Sequence, residues 1–316
     1  TRPEEAQYDG IKAPHFVQPV RSQLERELGK ATVGRGGLTV KTTLDLRIQE
    51  KLESEMKAFF DSGVPESNGI SNGAATIEDT QSGQIIALMG SRDFLYPGFG
   101  QDNAATAFIQ PGSTVKPLVF AKLFEDKGEG KQNYGSGSIL SDERIDQIYG
   151  AKLNNWDNRF MGNLTIRQSL ALSRNIPAVK AMYISSVDET LAKIREAGAE
   201  SYCQQEQAAG VGLSAAIGGC GVKQIEMVNA YATLGRSGTY KPLSTVLEVK
   251  NSSGEVIKQW KDESKQVLDP QVAYILADIL SDPNARASLH GRFPLGLYID
   301  GVQTAGKTGT SDKDSK

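Results

Sequence analysis

The segment Pro111-Gly112-Ser113-Thr114-Val115-Lys116-Pro117-Leu118-Val119-Phe120-Ala121-Lys122-Leu123-Phe124 opens on two turn formers and then becomes apolar on nearly every side. A helix with apolar residues almost all round has little surface to offer water and belongs in the middle of a domain. The pattern predicts a central helix over Thr114–Lys127. Ser113 stands at its start, where unpaired backbone N–H groups and the helix dipole favour developing negative charge. Lys116 follows one turn later on the same face. A serine needs an adjacent base to act as a nucleophile. A lysine is such a base only if its pKa falls, which burial and a second ammonium nearby would both cause. A simple helix cap is the other reading of Ser113. S-x-x-K alone is weak, since Ser54-Glu55-Met56-Lys57 also matches. That second match lies inside an amphipathic helix and reads as a solvated face.

Upstream, three prolines (Pro3, Pro14, Pro19) mark a lead-in, with a short helix near Val20–Leu28. Leu38–Thr43 alternates as a strand does, and Arg47–Phe60 has helical apolar spacing. Ser62–Asn72 reads as a loop, so a boundary falls there: 1–72 as a junction and 73–316 as the main domain. Ala74–Asp79 and Gln84–Gly90 form a hairpin signal across Thr80-Gln81-Ser82-Gly83. Asp126–Asn158 is polar and reads as irregular surface. Thr165-Ile166-Arg167-Gln168 fits a capping box. Gln224–Leu234 and Gln271–Leu280 are helical, Leu243–Val249 and Val256–Trp260 flank a second hairpin signal, and Gly301–Thr310 is the last strand candidate. Hairpins early and late with helices between predict an α/β chain of the α+β type, an antiparallel sheet flanked by helices plus an all-helical lobe.

Composition removes several function classes. The 316 residues carry 35 Lys+Arg against 38 Asp+Glu, a net charge of −3, whereas a nucleic-acid partner calls for a basic excess. Two His and two Cys are too few for a Cys/His zinc site. A Ser-His-Asp hydrolase would have to use His15 or His290. No apolar run approaches the roughly 20 residues of a membrane span. The chain starts at Thr1 and stops within a charged run, so it is expected to be a fragment of a longer protein.

Two more triplets carry chemistry. Ser173-Arg174-Asn175 precedes Pro177, which disfavours helix at Ile176 and predicts a loop whose side chains reach a cleft. The plainer reading is a polar helix end. In Lys307-Thr308-Gly309-Thr310, Gly309 lets another backbone approach while the lysine and hydroxyls suit a carboxylate. The plainer reading is a solvated edge strand. Gly301–Thr308 also satisfies G-x-x-x-x-G-K-[ST], the phosphate-binding loop, but that motif needs a helix after it, and only a short polar run follows.

S-x-x-K, S-x-N and K-T-G in this order are shared by β-lactamases and penicillin-binding proteins. The sequence resembles the transpeptidase domain of class A (bifunctional) penicillin-binding proteins of the 1A-like kind. Ala13–Val17, Leu38–Asp45, Gly210–Ser214 and Gly218–Ala232 extend the likeness along essentially the whole chain. The resemblance implies a serine transpeptidase fold and a peptidoglycan D,D-transpeptidase outside the cytoplasmic membrane. Its donor would be a D-Ala-D-Ala stem peptide and its acceptor an amine of a neighbouring stem. β-Lactams would act as substrate mimics, with no cofactor or metal. By resemblance, Ser113 is the nucleophile, Lys116 its base, Ser173 a proton relay and Asn175 an orienting group for Lys116. Lys307, Thr308 and Thr310 would hold the substrate carboxylate along Gly309, and the N–H groups of Ser113 and Thr310 would form the oxyanion hole.

The family continues past K-T-G with further strands and a closing helix, and it carries a glycosyltransferase domain and membrane anchor ahead of this region. Their absence here leads to an expectation that this 316-residue polypeptide alone is unstable or poorly active, while its parent is active. Full-rate labelling of it by a fluorescent penicillin would overturn this. Three alternatives stay open. A β-lactamase would need a deacylating base, and no Glu-x-x-Leu-Asn stretch is present. A β-lactam-sensing domain shares the motifs but not the Leu38–Asp45 lead-in. A nucleotide-binding protein is the third, decided by a nucleotide-binding assay. Cys203 and Cys220 fit either a disulfide or two unpaired, partly buried thiols, because spacing does not set Cα separation.

Overall fold

The computed structural model describes residues 10–290 and 297–311. Residues 1–9 of the expected junction and 312–316 of the expected main domain lie outside them. The chain divides into two compact units. One runs to Phe108 and takes in Lys223–Ala232 and Lys241–Ser264; the other is Ile109–Val222, Thr233–Tyr240 and the chain from Lys265 on.

In the first unit, helix Pro14–Leu28 starts earlier than the prolines suggest, because Pro14 occupies the first turn, where its missing N–H costs no bond. Its buried stripe of Phe16, Val20 and Leu24 shares a core with Ile85, Leu88, Val246 and Val249. Thr39–Thr42 runs antiparallel to Val246–Lys250, which pairs on its other side with Val256–Gln259. The expected hairpin forms between Ala75–Asp79 and Gln84–Met89, with Ala75 opposite Met89. Helix Leu46–Asp61 is capped by Asp45, whose carboxylate accepts from the N–H groups of Arg47 and Ile48. The loop expected over Ser62–Asn72 contains one helical turn, Val64–Ser67.

The second unit is built round the central helix. A 3₁₀ turn, Gly112–Val115, leads into helix Lys116–Phe124. Leu118, Val119, Phe120, Ala121 and Leu123 are all fully buried. Helices Asn175–Ser185, Val187–Glu196 and Pro270–Ser281 pack against it. The capping box at Thr165 and Gln168 forms as expected.

Three local expectations need correction, and one left open is resolved. Pro177 does not hold Asn175 in a loop: Asn175 opens a helix, and Pro177 sits in its first turn, where N–H groups have no intrahelical partner. The region 126–158 is not all irregular, since Ile139–Asp142 pairs antiparallel with Gly162–Thr165. Gly301–Thr310 forms no strand ladder among the described residues; only an isolated bridge joins Ile299 and Val302. Its neighbours are helix ends and turns, which offer no ladder of bonds: the Gly306 N–H donates to the Leu280 carbonyl at 3.1 Å. Finally, Cys203 and Cys220 are joined as a disulfide, with Cα atoms 4.9 Å apart. The backbone brings them together, as the Cys203 N–H donates to the Gly221 carbonyl at 3.2 Å.

Candidate active site

Ser113 is half-buried in the 3₁₀ turn that feeds the central helix, and its carbonyl accepts from the Lys116 N–H. Gly112, just ahead of it, has φ +53°, a left-handed conformation that costs glycine little. Lys116 is fully buried. Its Nζ donates to the Ser173 carbonyl and to Asn175 Oδ1, both at 2.7 Å, and lies 3.5 Å from Ser173 Oγ.

Ser173-Arg174-Asn175 is the junction between two helices. Helix Ile166–Ala171 ends with the Arg174 N–H donating to the Ser169 carbonyl at 2.9 Å. Ser173 there takes φ +56°, the left-handed position where glycine is usual. A glycine would relieve that backbone but could not supply the hydroxyl. Asn175 then opens the next helix, and its side-chain N–H donates to the Asn154 carbonyl at 2.9 Å, which aims Oδ1 at Lys116.

Lys307 Nζ donates to Ser173 Oγ at 2.8 Å and to the Thr308 carbonyl at 2.7 Å. This amine is therefore engaged with Ser173, which is not how a phosphate-binding loop uses its lysine. A Cβ on Gly309 would lie 2.6 Å from the Pro111 carbonyl oxygen and 2.7 Å from Thr114 Cγ2, so the missing side chain is what lets this segment lie against the Ser113 turn. Thr310 reaches the same turn from the other end, and a Cβ on Gly112 would collide with its carbonyl. Thr308, Gly309 and Thr310 are exposed, as groups that meet a ligand must be. All eight residues singled out from the sequence thus fall in the second unit, and three segments distant in sequence meet at the Ser173 hydroxyl and the Ser113 turn.

The electrostatics follow from that packing. Burial drives the Lys116 amine well below the ordinary lysine pKa; the Lys307 and Arg174 charges push the same way, with Asp142 opposing. Burial lowers Lys307 to about 8. A neutral amine keeps two N–H bonds and one lone pair. The two acceptors at 2.7 Å can take both N–H bonds of Lys116 and leave the lone pair for a proton.

Sequence reasoning missed the polar frame beneath these groups. Arg174, the middle of the S-x-N triplet, is 1% exposed and pairs through Nε with the fully buried Asp142 at 2.9 Å and through a terminal nitrogen with Asp157 at 3.0 Å. Asn155 donates to Asp142 Oδ1 at 2.8 Å and accepts from the Asn175 N–H at 2.8 Å, capping the helix from outside. The one available signal was the cluster Asn154-Asn155-Trp156-Asp157, polar side chains able to cap and bend a backbone. Asp142→Ala should destabilise the protein by about 3–5 kcal/mol, the usual effect of stranding a buried charge. Denaturant unfolding measures this, and replacing the pair together, as Asp142→Leu with Arg174→Met, should recover much of the loss.

A cavity of about 970 Å³ contains none of these groups. It lies in the first unit among Lys12, His15, Glu53, Phe60, Arg92 and Phe94. His15 is a core residue there, buried, with Nε2 2.8 Å from the Gly100 carbonyl oxygen.

Comparison with known proteins places the fold. Residues 73–316 match the family described as the penicillin binding protein transpeptidase domain. Penicillin-binding protein 2D of Bacillus subtilis is 29% identical over 327 residues, covering 99% of this chain and 44% of that protein. Penicillin-binding protein 1A/1B of the same organism is 28% identical over 307 residues, covering 95% of this chain and 31% of that protein. The chain therefore spans less than half the length of these curated relatives. PonA1 of Mycobacterium tuberculosis, solved in complex with penicillin V, superposes with a TM-score of 0.71 at 22% identity, covering 88% of this chain and 73% of that one. The D,D-transpeptidase domain of a peptidoglycan glycosyltransferase from Eggerthella lenta gives 0.68 at 21% identity, covering 92% and 76%. At these identities the structural likeness is one of fold.

Proposed function

Because the chain belongs to the penicillin-binding protein transpeptidase family, we propose that it cross-links peptidoglycan stem peptides through an acyl-enzyme on Ser113. The observation that carries this reading is the meeting of two lysine amines, from segments 191 residues apart, at the single hydroxyl of Ser173. Ser113 Oγ attacks the penultimate D-Ala carbonyl of a donor stem and gives its proton to Lys116. The oxyanion that forms is met by the backbone N–H groups of Ser113 and Thr310. The C–N bond to the terminal D-Ala then breaks, and its nitrogen leaves as an amine, protonated from Lys116 through Ser173. An amine of a second stem attacks the ester, returns a proton by the same route and frees Ser113. Lys307, Thr308 and Thr310 hold the donor carboxylate.

A β-lactam enters as the same carboxylate-bearing amide. Its ring nitrogen stays tethered after ring opening and blocks the acceptor, so the ester persists. The chemistry acts on an extracellular polymer, which places the domain at the outer face of the cytoplasmic membrane. Among the described residues no helix is long and apolar enough to cross a membrane. The test is peptide mass spectrometry of the full-length protein after benzylpenicillin. The expected adduct lies on the peptide containing Ser113 and is absent from Ser113→Ala; an adduct elsewhere, or none, overturns the assignment.

A further inference from the structure

The loop closed by the disulfide packs on the backbone of the nucleophile turn. Gly218 lies so close to Gly112 that a Cβ on it would collide with the Gly112 nitrogen, Cα and oxygen. Gly112 is thus held between Gly218 on one side and Thr310 on the other, one bond ahead of Ser113. We propose that the Cys203–Cys220 disulfide is a positioning element for Ser113, fixing the loop that keeps Gly112 in its left-handed conformation. This rests on the assignment of Ser113 as the nucleophile.

The loop has little else to fix it. Residues 204, 205, 207–210, 212, 214 and 219 are exposed, so much of the segment buries little apolar surface. Its last turn, Leu213–Ile217, is anchored through buried Ala215 and Ala216, and Glu206 Oε1 accepts from the Gly221 N–H at 2.9 Å. Tyr202 Oη donates to the Ala215 carbonyl at 2.5 Å, and Gln110 Nε2 donates to the Gly219 carbonyl at 3.2 Å. Cys203 is 0% and Cys220 3% exposed, so the bridge is embedded in packed structure and its two ends cannot drift apart. Tyr202 and Gly219, the residues that make those two bonds, are the immediate neighbours of the bridged cysteines. Opening the bridge leaves the ends of the loop joined by hydrogen bonds alone, from the Cys203 N–H to the Gly221 carbonyl and from the Gly221 N–H to Glu206, and displacement at Gly218 passes directly to Gly112. Lys307, the charge that would draw in a carboxylate, is held by Ser173 Oγ and the Thr308 carbonyl, so initial capture should be indifferent to the bridge.

The experiment compares wild type with Cys203→Ala/Cys220→Ala in the full-length protein, separating the noncovalent binding constant for benzylpenicillin from the acylation rate constant. The expected result is a melting temperature still above the assay temperature, an unchanged binding constant, an adduct still on Ser113, and acylation slower by about tenfold or more, since small misplacements of reacting atoms cost that much. A second arm reduces wild type with a water-soluble phosphine. The S–S bond is cleaved to two thiols while the phosphine takes up oxygen from one water, and thiol labelling reports completion. Acylation should slow in wild type and stay unchanged in the alanine pair. Equal rate constants in a folded, bridge-free protein overturn the inference. So does a bridge that cannot be opened without loss of the fold, which makes it a stabilising link only. Wild type that is not acylated at Ser113 overturns the functional reading instead, a distinguishable failure.

Discussion

Replacing Lys116 with alanine should slow acylation of Ser113 by about three orders of magnitude while leaving the noncovalent binding of a β-lactam within a few-fold of wild type. General-base catalysis by a positioned side chain contributes about 10²–10⁴, and two acceptors at 2.7 Å fix the donors of this amine. The pH profile carries the sign. Lys116 must be neutral to accept the Ser113 proton. Burial, then the Lys307 and Arg174 charges, hold its pKa well below the ordinary lysine value, so acylation rises with pH through a limb far to the acid side of 10.5. Lys307 must keep its charge to attract a carboxylate, and it loses that charge near pH 8, so the rate falls above it. A bell results. In Lys307→Arg the guanidinium stays charged, so the alkaline limb should disappear even if the maximum is lower. Stopped-flow acylation from pH 5 to 10 measures both limbs. A Lys116→Ala enzyme acylated at the wild-type rate removes this lysine as the base.

Ser113, Lys116, Ser173, Asn175 and Lys307 could be picked out because each belongs to a short motif whose spacing has a chemical meaning, and two of the three motifs occur once in the chain. The central helix was readable for a different reason: a run apolar on all sides has no place except a core. The polar frame was not readable. Asp142 and Arg174 are 32 residues apart, and a charged residue in a polar stretch looks the same whether water or a guanidinium will surround it. Only the fold shows that Asp142 is fully buried. Helix Val187–Glu196 carries its own signals, acidic Asp188 and Glu189 in the first turn and Lys193 and Arg195 in the last, which suit the helix dipole. The strand expected over Gly301–Thr310 failed because a strand depends on its partner, and alternation within one segment says nothing of what lies beside it.

Gly112→Ala should reduce acylation by about 10²–10³-fold in a protein that still folds. Two effects act together. Alanine at φ +53° costs backbone energy that glycine avoids. Its Cβ would also collide with the Thr310 carbonyl, so either the Ser113 turn or the K-T-G segment must move. The two N–H groups proposed for the oxyanion hole, those of Ser113 and Thr310, lie on opposite sides of that contact. Separating them weakens a pair of donors that matters most when charge has developed on the carbonyl oxygen, and losing one such donor costs about 10²–10³ in rate. The loss should therefore appear in the acylation rate constant far more than in initial binding. It should also appear in hydrolysis of a thioester substrate, which passes through the same oxyanion. Gly309→Ala tests the same geometry from the other side, because its Cβ would lie 2.6 Å from the Pro111 carbonyl oxygen while the Ser113 turn itself is unaltered. If Gly112→Ala acylates normally and Gly309→Ala does not, the carboxylate-holding segment sets the rate and the left-handed turn does not. If both are normal, the close approach of these two backbones has no part in the chemistry.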